Sequence, residues 1–125
     1  MIIKTVQSDV DLQSKILYKE LDFSDSKICK QKCNRTRFES LNLRSSIIKD
    51  SDFIFCIFTF CNLENLVFED CDLTGTKFYN NIGNYTFINC NLTAVNIELI
   101  QSFVSFNNCY QYTSLCENQR KKVMI

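Results

Sequence analysis

Eight cysteines and no histidine define what chemistry this chain could attempt. Without an imidazole there is no ordinary general base to activate a hydroxyl or a thiol, and no Ser or Cys lies in a nucleophile motif. Thiolates alone could build a zinc site, but it would need four of them, and the cysteines contain no C-x-x-C pair, the closest spacings being Cys29 to Cys33 and Cys56 to Cys61. Glu69, Asp70 and Asp72 are near neighbours in sequence. A carboxylate pair does acid–base work only where a cleft holds it around the scissile bond. On a repeating outward surface such residues are solvated. Nothing resembles a glycine-rich phosphate loop. These residues predict no enzyme, no catalytic residue, no metal, no cofactor and no small-molecule substrate.

The elements that carry these side chains must be unusual. In 125 residues there is no Pro and only two Gly, yet 46% of the chain is apolar and 13% aromatic. Compact folds use Gly and Pro where the backbone turns. A chain that turns often without them is expected to repeat one turn geometry open to any L-residue. The apolar runs, such as Phe53 to Phe58, fall far short of the roughly 20 residues that span a bilayer. The opening MIIKTVQSDVD turns acidic before any signal-like apolar stretch develops. The expected location is cytoplasmic, with no membrane contact, and the Asn-x-Thr triplets at Asn34, Asn84 and Asn91 are chance matches.

Internal periodicity supplies the fold. From Phe23, every fifth residue is Phe23, Ile28, Cys33, Phe38, Leu43, Ile48, Phe53, Phe58, Leu63, Phe68, Leu73 and Phe78. Neither the helical period of 3.6 nor the strand period of 2 produces that series. Two residues before each centre stands a small or apolar side chain, among them Ser26, Thr36, Ser46, Cys56, Cys61 and Cys71, with Gln31 the one misfit. A longer period appears on aligning Phe68-Glu-Asp-Cys71-Asp-Leu73-Thr, Phe87-Ile-Asn-Cys90-Asn-Leu92-Thr and Phe106-Asn-Asn-Cys109, which are spaced one residue short of twenty. One residue is therefore dropped per coil, in Asn80–Tyr85 and again in Glu98–Ser105. Ser51, Cys71, Cys90 and Cys109 are expected to stack as a buried, reduced interior ladder. The thiols then act as small hydrophobes.

This pattern resembles the pentapeptide-repeat family, with its motif of roughly A-[D/N]-[L/F]-x-x, over residues 21–116, about Leu21 to Cys116. The resemblance implies an all-β fold, a right-handed quadrilateral β-helix in which four pentapeptides make one square coil, here four to five coils. With strands about 4.8 Å apart the helix would be roughly 20–25 Å long. Residues 1–20, out of phase, are read as an N-terminal cap that covers one end, and residues 117–125 as a polar C-terminal tail.

Outside the core, charge is segregated. Residues 27–49 carry seven basic residues against Glu39 alone, and residues 50–119 carry eight acidic residues against Lys77 alone. Asp50, Asp52, Glu69, Asp70 and Asp72 are expected on one corner, and adjacent coils of opposite sign can pair across the ladder. Ile54, Phe55, Ile57 and Phe60 fall at outward positions of one coil, more apolar surface than a monomer exposes by chance. Either a terminal segment covers them or they face a partner.

The expected function is a non-enzymatic protein-binding module presenting patterned faces, in one form an inhibitor of a host or cellular enzyme. The partner is another protein. The family resemblance implies an alternative, a DNA mimic that binds and protects or inhibits DNA gyrase or a related topoisomerase, with a homodimer doubling its length through Tyr110, Tyr112 and Leu115. The Ile-, Lys-, Asn- and Phe-rich composition also fits a phage counter-defence protein. Direct nucleic-acid binding through Lys30, Lys32, Arg35 and Arg37 is not expected, because interleaved exposed aromatics are missing and the acidic coils repel phosphate.

Overall fold

The computed structural model describes residues 17–99 and 101–109 together with the short strand at 123–124. In chain order the strands are β1 (Leu17–Lys19), β2 (Lys27–Cys29), β3 (Lys32–Asn34), β4 (Arg37–Glu39), β5 (Ile47–Lys49), β6 (Asp52–Ile54) and β7 (Ile57–Thr59). They continue as β8 (Val67–Glu69), β9 (Lys77–Tyr79), β10 (Ile82–Ile88), β11 (Asn96–Ile97), β12 (Gln101–Asn107) and β13 (Val123–Met124). Every pairing is parallel. One face is the sheet β1-β4-β7-β9-β11, and a second is β13-β12-β10-β8-β5-β2. The other two are the β3–β6 pair, extended by bridges from Asp52 to Asp72 to Asn91, and a line of single bridges through Asp22, Asn42, Asn62 and Ile82. The result is a four-sided β-solenoid of about four turns.

Each centre of the five-residue repeat points inward and is buried, from Phe23 to Phe78. The large ones stack coil on coil. Tyr18, Phe38, Phe58 and Phe78 form one column with near-parallel rings, at centroid separations of 5.5, 4.6 and 5.0 Å. Phe68, Phe87 and Phe106 form a second at 5.2 and 5.7 Å. The columns meet edge to face, as in Phe58 with Phe68 and Phe78 with Phe87. Both geometries suit the ring quadrupole and contribute about 0.5–1.5 kcal/mol per pair beyond burial.

The slot two residues before each centre holds small polar side chains for a definite reason. Ser46 Oγ donates to the Phe23 carbonyl and accepts the Ser26 N–H. Thr76 Oγ1 does the same for Phe53 and Cys56, and the Asn81 amide for Phe58 and Cys61. The slot therefore meets backbone groups that would otherwise be buried unpaired. Gln31, the misfit, is accommodated: its Nε2 donates to the Cys29 carbonyl at 2.7 Å and its backbone N–H to Ser51 Oγ.

The turns repeat one geometry, as expected, but it is a left-handed one. The corner residue two after each centre is left-handed, with φ between 52° and 58° at Lys30, Arg35, Asp50, Phe55, Phe60 and their equivalents. The one repeated turn is thus taken by Glu, Lys, Arg, Ser, Phe, Ala, Asp and Asn alike, as the sequence implied, although αL costs roughly 1–2 kcal/mol outside glycine. It is held because most corner N–H groups donate to a carbonyl of the next coil, Arg35 to Ile54, Phe55 to Thr74 and Asp70 to Ile88, and Asn80 to the Glu98 carboxylate.

The dropped residue lies where the sequence places it. Asn62 pairs with Ile82, twenty residues on, but Val67 pairs with Thr86, nineteen on. In between, β10 runs straight through what is elsewhere a corner, and β12 follows it residue for residue from Ile82↔Gln101 to Ile88↔Asn107. Gly83, at φ 98°, is needed there because a Cβ would collide with the Glu64 backbone.

The ends depart from the expected boundaries. β1 pairs in register with β4, placing Tyr18 opposite Phe38, so the repeat already runs at Leu17 inside the expected 1–20 cap. Val104 and Ser105 pair with Val123 and Met124, so the expected 117–125 tail holds a strand at the same nineteen-residue spacing. The remainder of both segments, with Tyr110, Tyr112, Leu115 and Cys116, lies outside the described residues.

Candidate interaction surfaces

The interior thiols form the ladder read from the sequence. Cys71 Sγ donates to the Ile48 carbonyl, Cys90 to Phe68 and Cys109 to Phe87. All described cysteines are free. Cys71 and Cys90 are buried, whereas Cys109, in the last described coil of the ladder, is half-buried. Burial pushes the Cys61 thiol up to about 12, so it stays protonated and inert at neutral pH. Among the described residues no group of His, Cys, Asp or Glu could hold a metal ion.

The solenoid brings the five predicted acidic residues together on one edge. Asp50 and Asp70 occupy successive left-handed corners, the Asp50 N–H bonding the Glu69 carbonyl at 3.0 Å. Asp52 bridges directly to Asp72. Register also sets Lys32 beside Asp52 and Lys49 beside Glu69, so the basic coil ends where the acidic edge begins. Asp72 Oδ1 accepts the Thr74 N–H at 3.0 Å, which fixes that carboxylate to its own turn.

The four predicted apolar residues point outward but do not form a single patch. Ile54 ends β6, Phe55 takes the next corner, Ile57 is in β7, and Phe60 takes the corner after it. Phe55 and Phe60 are 50% and 58% exposed, while Ile54 and Ile57 are half-buried. Phe55 lies between Arg35, whose guanidinium carbon is 5.1 Å from the ring centroid, and Gly75, where a Cβ would collide with ring atoms Cδ1 and Cε1. Phe60 instead turns onto the adjoining face. There it borders an open groove of about 590 Å³ with Ile82, Asn42, Asn62, Asn80 and Glu98.

Sequence reasoning missed Arg35 and Gly75 as partners of Phe55, and Ile82 as the companion of Phe60. The signal was present in the twenty-residue column 35–55–75, which becomes readable only once the coil length is applied to outward positions. It also missed Arg37, which donates to Glu39 Oε1 at 3.2 Å and to Tyr79 Oη at 3.1 Å, reaching across two coils.

Residues 51–80 match the family model for pentapeptide repeats, with 8 copies. No curated protein matches the sequence. Among solved structures the chain is similar to QnrB1, described as a plasmid-mediated fluoroquinolone resistance protein, at 13% identity and a TM-score of 0.33, covering 95% of this chain and 88% of that one. The five-residue corners continue before the matched segment back to Tyr18, and after it the coils go on with one residue fewer to Phe106; over residues 51–80 the chain is similar to the pentapeptide-repeat family.

Proposed function

We propose that this chain is a non-enzymatic protein-binding module acting in the cytoplasm. The observation that carries the reading is the pair of exposed phenylalanines on left-handed corners. Asn, Asp or Gly would occupy those corners at less conformational cost, and the half-exposed rings gain only part of the burial that would offset it. An aromatic held there by its own scaffold suits recognition by a second surface. Inhibition of a host or cellular enzyme, including a phage counter-defence role, is a particular form of the same activity. The test is affinity capture from a bacterial lysate by the wild-type chain, Phe55→Asp and Asp70→Lys, with mass-spectrometric identification. A partner held by the wild type and lost by one variant is expected. Capture that is identical for all three chains would count against the reading.

A second reading rests on the acidic edge. Asp50, Asp52, Asp70 and Asp72 repeat at strand spacing, about 4.8 Å, and ordered carboxylates can replace phosphates against a basic groove. The partner would then be a DNA-binding enzyme such as gyrase. About six base pairs' length is available in one chain at 3.4 Å per step, so a homodimer would serve this role better than a monomer. Inhibition or protection of gyrase supercoiling, weakened by Asp70→Lys and by salt, is the expected outcome. No effect of micromolar protein on supercoiling or on drug-induced cleavage would remove this reading.

A further inference from the structure

We infer that the corner built by Arg35, Phe55 and Gly75 docks an acidic protein segment bearing an exposed apolar side chain, an inference that rests on the binding-module reading above. The three outward columns meeting at this corner can be read from the register. One runs Leu17, Arg37, Ile57, Lys77 and Asn96. The corner itself runs Arg35, Phe55, Gly75 and Ala94, and the column before it Asn34, Ile54, Thr74 and Thr93. These columns contain three cations and no carboxylate.

Arg35 stands one coil before Phe55 and Lys77 one coil after it, both exposed. The nearest carboxylate on the Arg37 side, Glu39, is engaged by Arg37 and by Lys19 at 3.4 Å. Arg35 and Lys77 therefore flank the apolar centre along the solenoid, with Asp72 held onto Thr74 beyond it, and complementarity on the cation side selects a negatively charged occupant. Phe55 is also set in place before any partner arrives. The Arg35 guanidinium covers it from one coil, and the missing Cβ of Gly75 makes room for it in the next. An aromatic already fixed in position loses little rotamer freedom on binding, and arginine beside an aromatic is the composition enriched in interface anchors.

A nucleic-acid strand fits less well. The ring is already occupied by the guanidinium and by Gly75, which leaves little free face for a base to stack on. A protein segment needs only carboxylates toward Arg35 and Lys77 and one apolar side chain against Phe55.

The test is selection of a random dodecapeptide display library on the immobilised full chain, with parallel selections on Phe55→Ser, Arg35→Glu, Gly75→Ala and Asp70→Lys. Gly75→Ala keeps the charge and the ring but displaces the ring, and Ala94 shows that this corner column tolerates a Cβ at φ 57°. The expected result is enrichment of acidic peptides with an aromatic or large aliphatic residue. Their recovery should fall about tenfold or more on the first three variants, as for loss of an interface anchor, and stay unchanged on Asp70→Lys. Arg35 is exposed, so Arg35→Glu reads the same site even where Phe55→Ser folds poorly. Enrichment of basic peptides lost on Asp70→Lys would overturn the inference while leaving the binding-module reading standing. Peptides indifferent to the first three variants, or no enrichment at all, would overturn the inference, and the lysate capture would then judge the broader reading alone. Retention of an oligo-dT strand through Arg35 in place of peptides, or of a second copy of this chain seen as concentration-dependent mass in light scattering, would likewise overturn it.

Discussion

The coils from Tyr18 to Asn80 and the stretch from Ile82 to Asn107 solve the same packing problem in two ways. In the first, a left-handed residue every fifth position turns the chain through a square corner, and three-residue strands form the faces. In the second, one residue is missing, the corner between two faces disappears, and β10 and β12 run seven residues without a break. The interior still fills, because Tyr85 enters it in place of the usual corner and slot. Its ring packs between Phe78 and Phe87, at 5.8 and 5.7 Å. The hydroxyl, however, is fully buried and has no hydrogen-bond partner among the described residues. Thr59 Oγ1, in the regular coils, is likewise buried without a partner among the described residues, so the two regions differ in how the chain turns, and the shortened side keeps the apolar core by filling it with a whole tyrosine ring.

That comparison is most easily broken in the regular coils. Phe58 stacks between Phe38 and Phe78 and touches the second aromatic column as well, so Phe58→Ala should lower stability by about 3–5 kcal/mol. A denaturant melt of Phe58→Ala within 1 kcal/mol of wild type, on the order of experimental scatter, would contradict the column. The shortened side is tested by Gly83→Ala, which adds a Cβ against the Glu64 backbone at a φ of 98°. Backbone cannot give way as a flexible side chain can, so a loss of about 2 kcal/mol or more is expected. Gly75→Ala should cost less, because the colliding atoms belong to the exposed Phe55 side chain, which can be displaced, and not to backbone.

Tyr85→Phe sharpens the contrast in the opposite direction. It removes the orphaned hydroxyl and keeps the ring, and should raise stability by about 1 kcal/mol. A loss of stability would mean that the hydroxyl has a partner. A smaller effect concerns pH. Burial holds the folded-state Cys61 thiol at about 12, above its ordinary value of 9.0, so its contribution is fully present below pH 9.0 and declines as pH rises toward about 12. Chemical denaturation at pH 8 and pH 10.5 should show lower stability at the higher pH, and Cys61→Ala should reduce that difference.

Much of the molecule was legible because a five-residue period has no competitor among helices and strands. The run of inward centres to Phe78, the Ser51–Cys71–Cys90 ladder and the site of the dropped residue all follow from spacing alone. The left-handed corners were hidden, since Lys30, Arg35, Phe55 and Phe60 are residue types that give no hint of positive φ. Gly75 and the Asp and Asn corners, such as Asp50, Asn65 and Asp70, do carry that hint. Val123 and Met124 were hidden because a two-residue strand is too short to display a period, and Tyr18 because Leu17 beside it blurred the phase. The acidic residues were placed together correctly since they follow the same columns as the core. The apolar residues were grouped by coil alone, and a corner separates Phe60 from Phe55.

The central claim, that Phe55 is held outward for a partner and does not support the fold, is tested most directly by one substitution, Phe55→Asp. Calorimetry and light scattering on this variant, alongside affinity capture from lysate, separate the two roles. A half-exposed ring on a strained corner contributes little to the monomer, so the melt should change by less than about 1 kcal/mol, with partner capture abolished. A large fall in melting temperature with capture unchanged would show that the ring is part of the scaffold, and the case for an interaction surface at this corner would fail.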